Sequence, residues 1–513
     1  MAPDPTATPT LFDRASVDPD ELALVDADGE RTWADVAEAV ARTARALRAV
    51  LGPDGRLAVV GANRAETVVV YAGAVLAGVP AILVNHHLSA DEIAYLLGDG
   101  DATAVWASPE HVDVASRAAA TLGLPVLTED ASGTWRAAVD AADSSPTPLD
   151  GPAPVDLIYT SGTTGVPKGV AVPRQPPGTV ADLLAQMATH HSAGLGPHLV
   201  SGPLYHSGPH GSIGLLLTGT PLVVPARFDP AVVLAAIERH RVATSVMVPT
   251  HLVRLLGLPD DERTAADVSS LRRVSVTGSA CPVPVKRAMI EWFGPILAEA
   301  YGASESGPIC TISAAEWLER PGSAGRPGDR YEVLVLDDDD APLPVGETGR
   351  LYFHDRTGRG ITYRNDPDKT AAAHIAPGTF TLGDVGHVDD GGYVFVTGRS
   401  VDMVISGGVN IYPAECERAL REHDQVLDAV VFGVPDPEMG ERLVGLAVVS
   451  GDATATDLLA HCRDRIARYK VPREMHVVDE VPRNAMGKID KAGLARRHGA
   501  GELGLEQETT HGR

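Results

Sequence analysis

Short apolar runs rich in Val and Ile (LAVVG at 57, TAVWA at 103, LIYTS at 157, TSVMVP at 244, RRVSVTG at 272) alternate with stretches of helical periodicity such as residues 33 to 50. A strand that reads as an unbroken apolar run is covered on both faces, and strands separated by helices come back parallel. The alternation therefore predicts an α/β fold: a large, layered N-terminal α/β domain. Beyond residue 330 the spacing tightens to YEVLVLD, GRLYFHD and GYVFVTG with Asp-Gly and Gly-Gly turn signals, which predicts a β-rich distal portion of antiparallel strands. Residues 402 to 495 then read as helix (Pro413 to His423), strand (DAVVFGV), strand (LVGLAVV), helix (Thr456 to Ala467) and strand (MHVVDE), a small C-terminal α+β domain. The tail after Arg497 is expected to be disordered.

Length and charge bound the function. A chain of 513 residues with 44% hydrophobic residues can bury several cores. Its formal net charge of -25 repels nucleic acid and anionic lipid, so an anionic ligand must meet locally placed cations. Lysines are scarce, at positions 168, 286, 369, 470, 488 and 491 only, so a lysine inside a glycine-rich motif is informative. Four cysteines without a CxxC pair fit a reducing cytoplasm and argue against a thiolate metal site. The start, MAPDPTATPT, has neither a basic nor an apolar signal region. Gly78 and Pro80 divide the apolar run at 67 to 84 into a buried helix and a strand, so no membrane insertion is expected.

Residues 159 to 170 read YTSGTTGVPKGV, directly after an apolar strand. Glycines let backbone N–H groups turn inward, hydroxyls donate, and Lys168 supplies charge, so such a loop can hold phosphate. The spacing is not GxxxxGK[ST], which argues against a P-loop NTPase. A Gly/Ser/Thr loop taken alone is more often a solvated turn. This one closely resembles the signature loop of the adenylate-forming superfamily, which includes acyl-CoA ligases, peptide-synthetase adenylation domains and beetle luciferases. Further motifs follow in family order: PLYHSGPHG (203 to 211), GSACP (278 to 282), YGASESG (301 to 307), GETGRLYF (346 to 353), TLGDVGHVDDGGY (381 to 393), GRSVDMVISGGVNIYP (398 to 413) and PRNAMGKIDK (482 to 491). The similarity runs from about residue 30 to 495.

The resemblance implies roles for individual residues, each weighed against a plain structural one. Thr160, Ser161, Gly162, Thr163, Thr164, Gly165 and Lys168 would hold the phosphates of ATP, and Gly278, Ser279 and Ala280 belong with the nucleotide site. Tyr301 is assigned to adenine, Gly302 to the nucleotide site, Ser304 to the α-phosphate, and Glu305 to the Mg2+ that accompanies ATP. One carboxylate suffices for a hard cation that keeps several waters; Glu305 alone would read as a solvated loop residue. Asp384 and Arg399 are assigned to the ribose, where bidentate contacts suit both types; a turn-capping Asp and a surface Arg are the alternatives. His206 stands where acyl-CoA ligases of the family carry a histidine between acyl pocket and phosphates, with His210 as a pocket-lining candidate. The absence of an aspartate from that motif disfavours an amino acid substrate. Gly407 and Gly408 resemble the pair that shapes the pantetheine tunnel of coenzyme A, and Tyr469, Lys470 and Arg473 a region that meets its nucleotide. Lys488 lies in a loop expected to reach the adenylation site from the small domain.

The resemblance further implies an adenylation domain at 1–398, a hinge at 399–403 and a mobile C-terminal domain at 404–513. Val401 departs from the usual Asp or Lys at the pivot, and a stiff β-branched residue there leaves its preferred orientation open. The expected reaction is activation of a carboxylic acid by Mg-ATP to acyl-AMP, followed by transfer to coenzyme A. Two alternatives stay open: a half-reaction specialist that takes preformed acyl-adenylate to the thioester, and a non-catalytic nucleotide- or acyl-binding relative. Small residues Gly208, Gly211 and Gly214 after His206, with no tryptophan in a recognised pocket motif, point to a bulky apolar acid. Nothing in the sequence fixes an oligomeric state.

Overall fold

The computed structural model describes residues 10–129, 133–160, 168–171, 178–399, 402–406, 409–436, 439–466, 468–483 and 488–505. These form two compact units. The first comprises the described residues up to Gly278, with Trp292–Pro308 and Ile361–Ala371; the second comprises Ser279–Glu291, Ile309–Gly360 and the described residues from Ala372 onward.

The first unit holds two largely parallel sheets, as the alternating runs predict. One has six strands in the spatial order Val126–Thr128, Ala104–Ala107, Leu57–Val60, Ala81–Leu83, Leu157–Thr160 and Lys168–Ala171. All neighbours are parallel except the last pair. Both faces are covered: along Leu57–Val60, Leu57 and Val59 enter the core around Trp33 and Tyr71, while Ala58 and Val60 enter the core around Leu96, Leu97 and Val105. The second sheet orders Leu297–Ala303, Arg273–Val276, Thr244–Met247, His198–Leu199, Leu222–Val223, Leu22–Asp26 and Gly29–Thr32, parallel up to the final hairpin.

Helix entry is locally encoded. Thr32 and Asp35 cap the helix Trp33–Leu51 reciprocally, hydroxyl to the third backbone N–H and carboxylate back to the first. The same box recurs at Ser89/Glu92, Thr179/Asp182 and Thr454/Asp457. The helix Ala65–Ala77 ends where Gly78 adopts φ +69°, so the apolar stretch turns into the strand Ala81–Leu83. Among the described residues no helix is long and apolar enough to cross a membrane.

In the second unit, Tyr331–Leu336, Gly349–Asp355, Thr379–Val388, His374–Ala376 and Val394–Arg399 form an antiparallel five-stranded sheet. The C-terminal part builds its own five-stranded sheet around the long hairpin Val426–Asp436 and Gly440–Val449. One face, with Ala429 and Val431, packs on the helices Pro413–Arg421 and Ala455–Arg463; the other, with Val430, Phe432 and Val434, packs on Leu494 of the helix Lys491–Gly499. The second of these helices stops at Arg463, short of the expected Ala467, where Asp464 caps it. Order also persists past Arg497. Helix continues to Gly499, and Leu503 and Leu505 pack against the Phe432 core, because each burial offsets the cost of fixing the chain; residues 506–513 lie outside the description. All four cysteines are free and buried, yet Cys416 and Cys462, far apart in sequence, meet at 3.9 Å between the two helices.

Candidate active site

In open α/β sheets ligands bind outside the carboxyl ends of the strands. The motifs of the first unit lie at such ends. The candidate phosphate loop follows Leu157–Thr160, Tyr301 and Gly302 close Leu297–Ala303, and Gly278 follows Arg273–Val276. Residues 161–167 lie outside the described residues, and of Thr160 only the backbone is described, but both ends of the loop are fixed: Thr160 pairs with Lys168 across an antiparallel register.

Lys168 donates to Asp366 Oδ2 at 2.7 Å, which raises the lysine's pKa and lowers the aspartate's. The segment carrying Asp366 is laid along this strand by its own contacts. Arg364 donates its backbone N–H to Gly169 O at 2.9 Å and its Nε to Asp99 O at 3.0 Å, and ion-pairs with Asp101. Tyr159 donates its hydroxyl hydrogen bond to Asp99 Oδ2 at 2.7 Å, and burial with that carboxylate raises its pKa. Three residues further on, Lys369 sits over the Tyr363 ring at 4.0 Å. Burial lowers its pKa against the opposing pull of Glu305. Glu305, half-buried in the turn after Leu297–Ala303, is therefore brought into one electrostatic cluster with Lys168, Asp366 and Lys369. Asp366 is taken up by Lys168, which leaves Glu305 as the carboxylate of the cluster suited to a hydrated Mg2+, with the ammonium groups suited to phosphate oxygens. Tyr301 and Ser304 are half-buried and Gly302 exposed in the same stretch.

Sequence reading missed Asp366 and Lys369. A signal was present, since Lys369 is one of only six lysines, next to Asn-Asp-Pro-Asp.

His206 is the half-buried, extended residue just before the short helix Ser207–His210, its ring 4.6 Å from Tyr205. Tyr205 meets His86 edge-on at 5.1 Å, and burial pushes His86 down to about 4, so it is neutral near pH 7. His210 points into the interior instead. Its Nε2 lies 3.1 Å from Asp156 Oδ2, with Tyr71 edge-on at 4.6 Å. The glycines differ in what they leave open. A side chain at Gly214 would strike Met187 at 2.9 Å, so that space is filled, whereas at Gly208 the nearest atom is Val246 Cγ1 at 3.5 Å.

Within the second unit the distal sheet places Asp384 directly opposite Arg399, cross-strand partners in register. Asp384 is buried at 6% exposure, beyond Gly383 at φ +80°. The side chain of Arg399 lies outside the description, as do Val401, Gly407, Gly408 and the Tyr469 side chain. Ser279 and Ala280 are exposed. Lys470 is ion-paired with Glu415, and Arg473 is exposed, its backbone N–H donating to Leu443 O at 3.1 Å. Lys488 is exposed just before the helix Lys491–Gly499, which Asp490 caps. Lys168 and Glu305 thus both act electrostatically on Lys369, and Asp384 pairs in register with Arg399.

Residues 11–360 match the AMP-binding enzyme family, and residues 415–488 its C-terminal domain. The chain is 33% identical over 503 residues to a feruloyl-CoA synthase of Amycolatopsis sp, covering 95% of this chain and 98% of that one. It is 31% identical to an indoleacetate–CoA ligase of Aromatoleum aromaticum, covering 93% and 95%. Among solved structures, the o-succinylbenzoate CoA synthetase of Bacillus subtilis with its acyl-adenylate intermediate superposes with a TM-score of 0.77 at 28% identity, covering 94% and 97%. With its motifs at strand ends and both domains matched over nearly full length, this chain belongs to the AMP-binding enzyme family of the adenylate-forming superfamily.

Proposed function

We propose that this protein is an acyl-CoA ligase that converts a bulky, ring-bearing carboxylic acid to its CoA thioester through an acyl-adenylate. The carrying observation is the Lys168, Asp366, Lys369 and Glu305 cluster beside the glycine-rich loop. In this reading ATP lies with its phosphates along residues 160–168, Tyr301 beside adenine, Ser304 at the α-phosphate and Asp384 with Arg399 at the ribose. The substrate carboxylate attacks the α-phosphate and pyrophosphate leaves. No side chain need act as nucleophile, so the residues position reactants and neutralise charge. Bound Mg2+, held by Glu305, would offset phosphate charge. In the second half, residues 399–403 serve as the hinge between 1–398 and 404–513. Gly407 and Gly408 then flank the pantetheine arm, with Tyr469, Lys470 and Arg473 near the nucleotide of coenzyme A, whose thiolate displaces AMP. The intact cluster speaks against the half-reaction specialist and the non-catalytic relative. Free cysteines and the need for ATP and coenzyme A support a cytoplasmic location.

Gly208, where an added Cβ would meet Val246 only at ordinary contact distance, and relatives whose names specify feruloyl and indoleacetate, favour a ring-bearing acid. In a pyrophosphate-release panel the expected order is arylpropenoic, indolic and polycyclic acids above acetate and propionate, with mass spectrometry identifying the thioester once coenzyme A is added. Preferred turnover of acetate would reject the pocket assignment.

Glu305→Gln removes one negative charge while keeping shape. The expected outcome is a raised Mg2+ requirement for adenylation at unchanged melting temperature. A wild-type magnesium titration curve would remove Glu305 from the metal site.

A further inference from the structure

A second charged cluster brackets the PRNAMGKIDK motif in sequence, at the edge of the C-terminal sheet. Glu474 and His476 are two apart on the strand Glu474–Val477, so they share a face, while Met475 between them enters the opposite core. The helix Lys491–Gly499 packs on that shared face through Leu494, and His498, one turn later on the same stripe, is delivered to the strand. Both imidazole Nε2 atoms approach one oxygen, Glu474 Oε1, each at 2.8 Å. The three candidate ligand atoms all fall within 4.8 Å of one another. The side chains are 26%, 10% and 17% exposed for Glu474, His476 and His498, open enough for an ion to enter. The second carboxylate oxygen, Oε2, accepts from Arg442 Nη1 at 2.6 Å, with Asp436 3.8 Å from that guanidinium, and the Phe432 ring meets His498 edge-on at 6.2 Å.

We propose that Glu474, His476 and His498 form a binding site for a borderline divalent cation of the zinc class. Two imidazoles and one carboxylate are the donor set such ions prefer, whereas Mg2+ and Ca2+ favour oxygen alone. Arg442 acts as the outer partner that fixes the carboxylate's orientation. Metal–ligand bonds of about 2.0–2.2 Å in a tetrahedron would move each imidazole Nε2 roughly half an ångström further from Glu474 Oε1 than its present 2.8 Å. In the metal-free form each Nε2–H donates to Glu474. On binding, the Nε2 proton of each ring moves by way of solvent to Nδ1 or is released to it, and the freed Nε2 lone pair goes to the ion. The ion would replace two hydrogen bonds with a clamp between strand and helix. His498 is 24 residues from Glu474, and Lys488 lies in the span between them, so the clamp would close the segment that carries it. The proposal does not depend on the ligase reading.

The test uses the full chain, stripped with chelator and free of nucleotide. Calorimetric titration with ZnCl2 should show one saturable site. His498→Gln should weaken it by more than the roughly 10- to 100-fold that an outer partner is worth, while the metal-free melting temperature stays near wild type because glutamine still donates to Glu474. His461→Gln, in the helix on the opposite face of the sheet, should leave Zn2+ affinity unchanged. CoCl2 should give tetrahedral visible bands without a thiolate charge-transfer band. If His498→Gln proves unstable, hydrogen exchange of the wild type supplies the second readout, with amides of Lys491–Gly499 slowing on Zn2+ addition. Absence of saturable binding, equal affinity in His498→Gln, a thiolate band, or unchanged exchange in that helix would each overturn the site.

Discussion

Replacing Lys488 with alanine is expected to slow acyl-adenylate formation from acid and ATP by about 10²- to 10³-fold, the value of one preorganised charge contact of roughly 3 to 4 kcal/mol. Two anions, the substrate carboxylate and the α-phosphate, must approach while further charge builds in the transition state. An ammonium contacting both would offset that repulsion. The side chain is exposed, ahead of a helix whose cap belongs to Asp490, so its truncation should leave stability within about 0.5 kcal/mol. Loss of activity would therefore report chemistry rather than unfolding. On our reading Lys488 leaves the site when the small domain swings, which makes the deficit selective. The variant is assayed from acid plus ATP, and again from synthetic acyl-adenylate plus coenzyme A. Equal loss in both assays would contradict the swing, and loss in neither would make Lys488 dispensable. A wild type active only from acyl-adenylate would install the half-reaction specialist.

Arg330→Ala is expected to cost the protein about 3 kcal/mol, the low end of the 3–5 kcal/mol for breaking a buried pair, because a third of the arginine still touches water. Its partner Asp355 is fully buried. The carboxylate accepts from Arg330 Nε at 3.0 Å and Nη2 at 2.7 Å, and from the backbone and hydroxyl of Thr357 at 3.0 and 2.8 Å. Burial alone would raise the Asp355 pKa, but these bonds hold it well below its ordinary 3.8. A carboxyl depressed in the folded state stabilises above the unfolded pKa and loses that contribution as pH falls through the folded one. The gap between variant and wild type should accordingly be full above about pH 5 and shrink in acid. Urea unfolding at pH 7 and pH 3 measures it; a gap that is constant with pH would mean the arginine acts through packing alone.

The two assignments differ in how far sequence could have supplied them. Strand runs such as LAVVG and helix boxes such as Thr32/Asp35 are local, so their elements were legible from neighbouring residues. Lys168 and Asp384 could be singled out as candidates because each sits in a motif, and the register of Asp384 with Arg399 follows from a short hairpin. Asp366 could not, since its lysine partner is 198 residues away and only the folded chain brings them together. Gly214 was misread for a related reason: the void it seems to leave belongs to Met187, from a helix upstream. His210 likewise looked like pocket lining until Asp156 claimed its imidazole. Residue type signals what a position can do, and the long-range partner decides whether it is free to do it.

The placement of Ile361–Ala371 in the first unit has a consequence for how the protein is made. Synthesis runs from the N-terminus, so the strand Lys168–Ala171 leaves the ribosome long before Arg364 and Asp366 exist. Until then Lys168 lacks its counterion and Gly169 O its donor, at the rim of the glycine-rich loop. The antiparallel sheet at 331–355 must also emerge in the interval. A nascent chain halted near residue 360 would carry every strand of the first unit and still lack the strap that fastens that rim. Shortened versions ending there should therefore be open to protease at residues 168–171, and those extended to Ala371 markedly less so.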